Sequence, residues 1–129
     1  VIAVDTSAIV AIVLGEPERG TFRRVIESAD QALVSTVSVV EARIVIHSRR
    51  GQRAVMLFDG LLRLPMFEIM PPGIAEMDAA YAAFVTYGKG SGHPAGLNFG
   101  DLFAYALAKV RNVPLLFKGG DFDIQAASV

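Results

Sequence analysis

The stretch Val1-Ile2-Ala3-Val4-Asp5-Thr6-Ser7-Ala8 decides the fold. Four apolar residues run without a break and stop on an acid. A short continuous apolar run reads as a strand buried on both faces. Small hydroxyl residues follow at once, and Thr6 or Ser7 is placed to cap a helix over Ala8–Leu14. Gly15 ends that helix, and Pro17 opens a second one reaching about Ser28. The pattern then recurs. Ala32–Ser35 reads as a strand, and Thr36 or Ser38 caps a long helix to Arg50, stopped by Gly51. Gln52–Leu64 reads as helix, closed by Pro65. Phe67–Met70 is a third strand, Ile74–Tyr87 a helix, Asn98–Val110 another, and Pro114–Phe117 a fourth strand. Gly88–Gly96, with four glycines and a proline, is the one clear loop. Strands alternating with helices predict an α/β fold with a short central parallel sheet flanked by helices on both faces, as one domain over residues 1–129. In such sheets the working crevice lies beyond the carboxyl ends of the strands.

Composition narrows the function classes. Apolar residues make up 53% of the 129-residue chain, enough to bury a proper core. Thirteen acidic side chains face twelve basic ones, a net charge of −1, so bulk charge does not grip nucleic acid. The lack of cysteine excludes a disulfide scaffold and a thiolate metal site. The longest clean apolar run, Ala8–Leu14, has seven residues, against roughly 18 for a spanning helix. No basic leader or signal-peptide pattern opens the chain. The expectation is a soluble, cytoplasmic protein with no membrane partner.

Four of the thirteen acids demand an explanation. Glu16, Glu18, Glu27, Asp30, Asp59, Glu68, Glu76 and Asp78 lie in polar surroundings and read as solvated. Asp5, in contrast, terminates a buried strand and points at the crevice. Asp121 does the same after Leu115–Phe117, with Gly119 and Gly120 letting the chain turn. Glu41 shares a helix face with Val37, Ile44 and Val45. Asp101 opens a helix that is apolar nearly all round. Each has a plain alternative: a strand-end cap for Asp5, an arginine pair for Glu41, a helix cap for Asp101, a turn for Asp121. Buried carboxylates need cations or donors, and the local cations are few: Arg43, Lys118 and Lys109. Converging acids short of cations are resolved by a hard divalent ion, Mg²⁺ or Mn²⁺, which takes oxygen ligands.

Taken in order, Val1-Ile-Ala-Val-Asp5-Thr-Ser-Ala8, Ser35-Thr-Val-Ser-Val-Val-Glu41-Ala42, Asn98-Phe-Gly-Asp101-Leu-Phe-Ala-Tyr105 and Pro114-Leu-Leu-Phe-Lys-Gly-Gly-Asp121-Phe122 resemble the PIN-domain proteins of the VapC toxin type, over essentially the whole chain. The resemblance implies an Mg²⁺-dependent endoribonuclease, the toxin of a toxin–antitoxin pair, neutralised by a cognate antitoxin. It carries the family's catalytic acids onto Asp5, Glu41, Asp101 and Asp121. Asp5, Asp101 and Asp121 would be metal ligands, and Glu41 a further ligand or a residue that positions water. Thr6 or Ser7 matches a small hydroxyl beside the first acid, and Asn98 a position near the active-site helix. The sequence departs from the family after Asp121-Phe122, where Ala126 stands in place of an expected acid and Asp123 is the nearby alternative. That departure keeps a second reading open, a catalytically weakened PIN-like scaffold that only binds a partner protein or RNA.

Substrate grip must come from local charge. Arg43, Arg49, Arg50, Arg53 and Arg63 cluster in one segment against a single acid, Asp59. Arginine suits bidentate phosphate contacts, and Thr6, Ser7, Asn98, Arg43, Arg49 and Arg50 form the expected RNA-binding set. His47 reads as a surface or helix–helix residue and His93 as loop structure. The helices Ala8–Leu14 and Ile74–Tyr87 look too apolar for full exposure, so a homodimer face or an antitoxin groove is expected over them. A receiver-type signalling module, the rival of similar size, needs a phosphoacceptor Asp at the end of its middle strand. Here that strand ends Leu33-Val34-Ser35-Thr36.

Overall fold

Asp5 does at the N-terminus what the sequence predicts and one thing more. In the computed structural model, which describes residues 1–119, strand β1 (Ile2–Val4) stops at Asp5, and Asp5 itself caps helix α1 (Thr6–Val13). Its Oδ2 accepts the Ser7 backbone N–H at 2.9 Å. The cap is therefore Asp5, the strand-end alternative, rather than Thr6 or Ser7, because the strand runs into the helix with no loop between. The same economy recurs after β2 (Ala32–Ser35), where Ser35 rather than Thr36 or Ser38 caps α3 (Thr36–Arg50). Gly51 ends α3 with φ +81°, a conformation that favours glycine. Between these lies α2 (Arg19–Glu27). Helix α4 spans Gln52–Leu62, two residues shorter than expected, since Arg63 caps it before Pro65 is reached. Then come β3 (Phe67–Met70), α5 (Ile74–Tyr87), α6 (Phe99–Arg111) and β4 (Leu115–Leu116).

The four strands form one parallel sheet in the order β3-β2-β1-β4. The chain winds outward from β1 through β2 to β3, then returns to place β4 on the other side of β1. The switch point thus falls beside the end of β1, where Asp5 stands. Period-two alternation divides the core into two halves. Ala3, Leu33 and Leu115 face α5 and α6, packing with Ala80, Ala83, Leu102 and Tyr105. Val4, Ala32 and Val34 face the other way, with Ile9, Ile46, Val55 and Phe58 from α1, α3 and α4. Both faces are covered, as expected.

Two expectations change. Ala8, Ile9, Val10, Ala11 and Ile12 are all buried within the chain itself. Helix α1 is therefore covered mainly by the chain's own layer, while its end, at Ile12 and Val13, borders an open groove. Glu76, read as solvated, is 8% exposed. It lies in the first turn of α5, and its Oε2 accepts the Gly73 N–H. Among the described residues no helix is long and apolar enough to cross a membrane.

Candidate active site

A cleft of about 410 Å³ opens at the carboxyl ends of β1 and β4. Asp5, Glu41 and Asp101 all line it, together with Thr6, Ser7, Glu16, Arg49, Asn98 and Lys118. Three segments distant in sequence thus bring three acids to one place. The strand end supplies Asp5, the second turn of α3 supplies Glu41, and the first turn of α6 supplies Asp101.

Asp5 is the most constrained of the three. It is 2% exposed, and its Oδ1 has no hydrogen-bond partner among the described residues. Burial pushes its carboxyl above the ordinary carboxylate range, hydrogen bonding from Ser7 pulls it back, and the charge of Glu41 adds to the rise. An orphaned buried carboxylate oxygen is costly unless something satisfies it. Asp101, 7% exposed, is held by a reciprocal cap. Its Oδ2 accepts the Asn98 N–H while the Asn98 Oδ1 accepts the Asp101 N–H, each at 2.9 Å. Asn98 is thus the cap of α6, fixing where Asp101 sits. Glu41 is half-buried, and its carboxylate lies against Gly100 on α6.

The hydroxyls beside Asp5 are committed to structure. Thr6 Oγ1 donates to the Ser38 carbonyl at 3.2 Å, joining α1 to α3. Ser7 Oγ accepts the Lys118 backbone N–H at 2.9 Å, joining α1 to the end of β4. Charge gathers at the mouth of the cleft. Glu16 Oε1 lies 2.8 Å from Lys118 Nζ, and its Oε2 lies 3.7 Å from Arg49 Nη1. Glu18 adds a second carboxylate 3.4 Å from Lys118. The Glu16 hydrogen bond, reinforced by both charges, raises the Lys118 ammonium above its ordinary value, so it stays charged.

The chain as a whole is similar to known proteins. The chain matches the PIN domain family over residues 2–127. It is 43% identical to the ribonuclease VapC30 of Mycobacterium tuberculosis over 92% of this chain and 90% of that one. It is 42% identical to the ribonuclease VapC of Mycolicibacterium smegmatis, over 92% of each. The chain belongs to the VapC family of PIN-domain ribonucleases. Its fold is also that of the crystal structure of Mycobacterium tuberculosis VapC20, described as a sarcin-ricin-loop-cleaving toxin, with a TM-score of 0.80, 20% identity and coverage of 100% and 97%. A Rickettsia felis VapBC2 complex bound to a promoter DNA fragment contains a chain of the same fold, with TM-score 0.74, 15% identity and coverage of 98% and 95%.

In this VapC-family chain the structure gathers some of the expected residues and separates others. Asp5, Glu41, Asp101, Thr6, Ser7, Asn98 and Arg49 share the cleft. Arg43 does not. It faces a different cleft, between α3 and α4, where its Nε pairs with Asp59 at 2.9 Å. Arg50 is exposed at the end of α3 and is not part of the cleft lining. Helix periodicity explains the split, since six residues put Arg43 and Arg49 on different sides of α3. His93 is loop structure, its Nδ1 accepting the Ala95 N–H and its ring edge-on to Tyr87. Asp121, Asp123 and Ala126 lie outside the described residues.

Glu16 is the cleft residue that sequence reasoning missed. It was grouped with the solvated acids, yet it ties α3 to the segment after β4. The single local signal is its place between Gly15, at φ +70°, and Pro17, a turn that throws the chain back. Its partners are too far away in sequence for that signal to have named them.

The donor set tests whether a metal belongs here. Hard carboxylate oxygens are what Mg²⁺ and Mn²⁺ take, and Asp5 Oδ1 is a buried acceptor with no partner among the described residues. Among the described residues, no three acids or histidines stand close enough to hold a metal by themselves. Asp5 and Asp101 supply donors of the kind such an ion takes; Asp121, also expected as a ligand, lies outside the described residues.

Proposed function

We propose that this VapC-family ribonuclease is an Mg²⁺-dependent endoribonuclease whose reaction is carried out in the acid cleft, and that it is a toxin neutralised by a cognate antitoxin. The observation that carries the reading is Asp5, a nearly inaccessible carboxylate at the sheet's switch point with one oxygen unpartnered among the described residues. Asp5, Asp101 and Asp121 would hold the ion, with Glu41 as a further ligand or a residue that positions water. When bound, the ion supplies a Lewis acid that neutralises charge developing on the scissile phosphate and acidifies the attacking water. The chain's own groups do the rest. Ser7 aims Asp5 through its backbone N–H, and Asn98 fixes Asp101. Lys118 and Arg49 put two cations at the mouth of the cleft, where the phosphodiester backbone of RNA would enter. The N-terminus of α6, ending among the acids, adds positive dipole on the same side.

Two surfaces support the partner readings. An apolar cleft of about 340 Å³ runs between α1, α2, α4 and β3, lined by Ile12, Ile26, Leu57, Leu61 and Met66. An amphipathic antitoxin helix suits such a groove. Helix α5 exposes Ile74, Met77, Tyr81, Phe84 and Val85, a helical stripe that a second copy of the chain would cover in a homodimer.

The test uses purified, antitoxin-free protein with RNA in Mg²⁺, Mn²⁺ or EDTA, beside Asp101→Asn. Cuts that need metal and vanish in the variant are expected. Cleavage at the wild-type rate in EDTA, or in Asp101→Asn, would overturn the site assignment. A folded protein that binds metal and cleaves no RNA would point to the binding scaffold, with Ala126→Asp as the restoring change.

A further inference from the structure

Helix α6 carries a glycine at its second position, and that glycine needs a reason. Glycine is disfavoured in helices relative to alanine, because it has more backbone freedom to lose. Backbone geometry does not demand it, since Gly100 is absent from the positive-φ glycines Gly15, Gly51, Gly90, Gly92, Gly96 and Gly119. Space does. A Cβ built on Gly100 would come closer than 3.0 Å to Glu41 Oε1, Oε2 and Cδ, and these are its three nearest heavy atoms. No backbone atom and no core side chain stands among them. Gly88 shows the other kind of glycine, where a Cβ would strike the carbonyl oxygen of Phe84. A methyl at Gly88 would distort the chain; a methyl at Gly100 would displace a carboxylate.

We propose that Gly100 is a positioning residue: its missing side chain forms the notch that seats the Glu41 carboxylate against the first turn of α6, beside Asp101. Helices α3 and α6 pack against each other, and Gly100 is buried where they meet. The notch also brings an anion to the positive end of a helix, where it is stabilised. Because the three nearest atoms belong to the far end of a flexible side chain, Gly100→Ala is expected to leave the fold in place and to displace Glu41. The inference rests on the reading of Glu41 as an active-site acid.

The test compares wild type, Gly100→Ala, Glu41→Ala and the double variant. The substrate is a single-stranded RNA oligonucleotide that wild type cleaves, assayed at substrate excess with Mg²⁺. Gly100→Ala is expected to lower kcat by about 10- to 100-fold with KM little changed, the scale on which misplacing a reacting group by an ångström acts. The same change in the Glu41→Ala background is expected to cost less than about twofold, because the methyl then has room. A carboxyl ¹³C NMR titration adds a readout that a merely structural role would not move: the Glu41 resonance shifts in Gly100→Ala. An equal loss in both backgrounds, or an unmoved Glu41 resonance, overturns the proposal. If Gly100→Ala fails to fold, the double variant decides: restored folding supports the contact with Glu41, and continued failure refutes it. Wild-type cleavage by Glu41→Ala would remove Glu41 from the active site. Wild-type cleavage by Gly100→Ala with Glu41→Ala inactive would overturn the positioning role alone.

Discussion

Ser7 Oγ accepts the backbone N–H of Lys118 at 2.9 Å, while the Ser7 N–H donates to Asp5 Oδ2. One small residue therefore links the end of β4 to the acid at the end of β1, across the sheet's switch point. Ser7→Ala keeps the backbone bond to Asp5 and leaves the Lys118 N–H without its acceptor. The expected result is a Tm lower by about 3–5 °C, the effect of one lost hydrogen bond in a domain of this size. Cleavage should fall as the segment after β4 loosens. Thermal denaturation beside RNA cleavage checks this, and an unchanged Tm would count against the link.

Burial of Asp5 disfavours its charged form. Its carboxyl is raised above the unfolded value near 3.8, chiefly by burial. A raised pKa means that the folded state binds the proton more tightly. Stability from this group is therefore fully present below about pH 4 and is lost as pH rises through the folded value. Asp5→Asn removes that loss and keeps an oxygen to cap α1. In EDTA the variant should be more stable than wild type at pH 7, with the difference shrinking towards pH 4, while cleavage disappears. Urea unfolding at the two pH values measures it. A wild type more stable than Asp5→Asn at pH 7 without metal would refute the account.

Metal should reverse that order. An ion that binds only the folded chain stabilises it by about 2.7 kcal/mol at a hundred times its Kd. Mg²⁺ or Mn²⁺ is expected to raise the wild-type Tm by several degrees and to leave Asp5→Asn and Asp101→Asn nearly unmoved. Melts with and without EDTA suffice. Equal shifts in all three proteins would mean that the ion binds elsewhere.

Glu16 occupies two cations that RNA would need. Glu16→Gln should tighten binding of a single-stranded RNA several-fold, with little change in Tm, because partly exposed ion pairs contribute little to stability. Lys118→Met should weaken binding and reduce the salt dependence, log Kd against log salt, by about 0.7, the slope for one contact to a single strand. An unchanged slope in Lys118→Met would remove that side chain from the RNA path.

The division between what was readable and what was not follows sequence distance. The strands, the helices and the parallel sheet were legible because hydrophobic period, glycine and proline act over a few residues. The acids Asp5, Glu41 and Asp101 were legible for a related reason, since a charge in an apolar run is costly wherever the chain folds. The cap of α3 lies at Ser35, ahead of the expected Thr36 or Ser38, and that of α1 at Asp5, the alternative to Thr6 or Ser7, because strand and helix abut, a detail of backbone geometry that composition does not encode.

Tertiary structure alone decided the rest. It divided the arginine cluster, sending Arg49 to the acid cleft and Arg43 to Asp59. It recruited Glu16 through Lys118, 102 residues away, and tied Ser7 to that same lysine across 111 residues. It also set Gly100 against Glu41, giving a helical glycine a purpose invisible along the chain. Such pairings depend on where two helices and two strand ends meet in space. Periodicity sets which face of an element is buried. Which distant residue it meets there depends on how the whole chain packs.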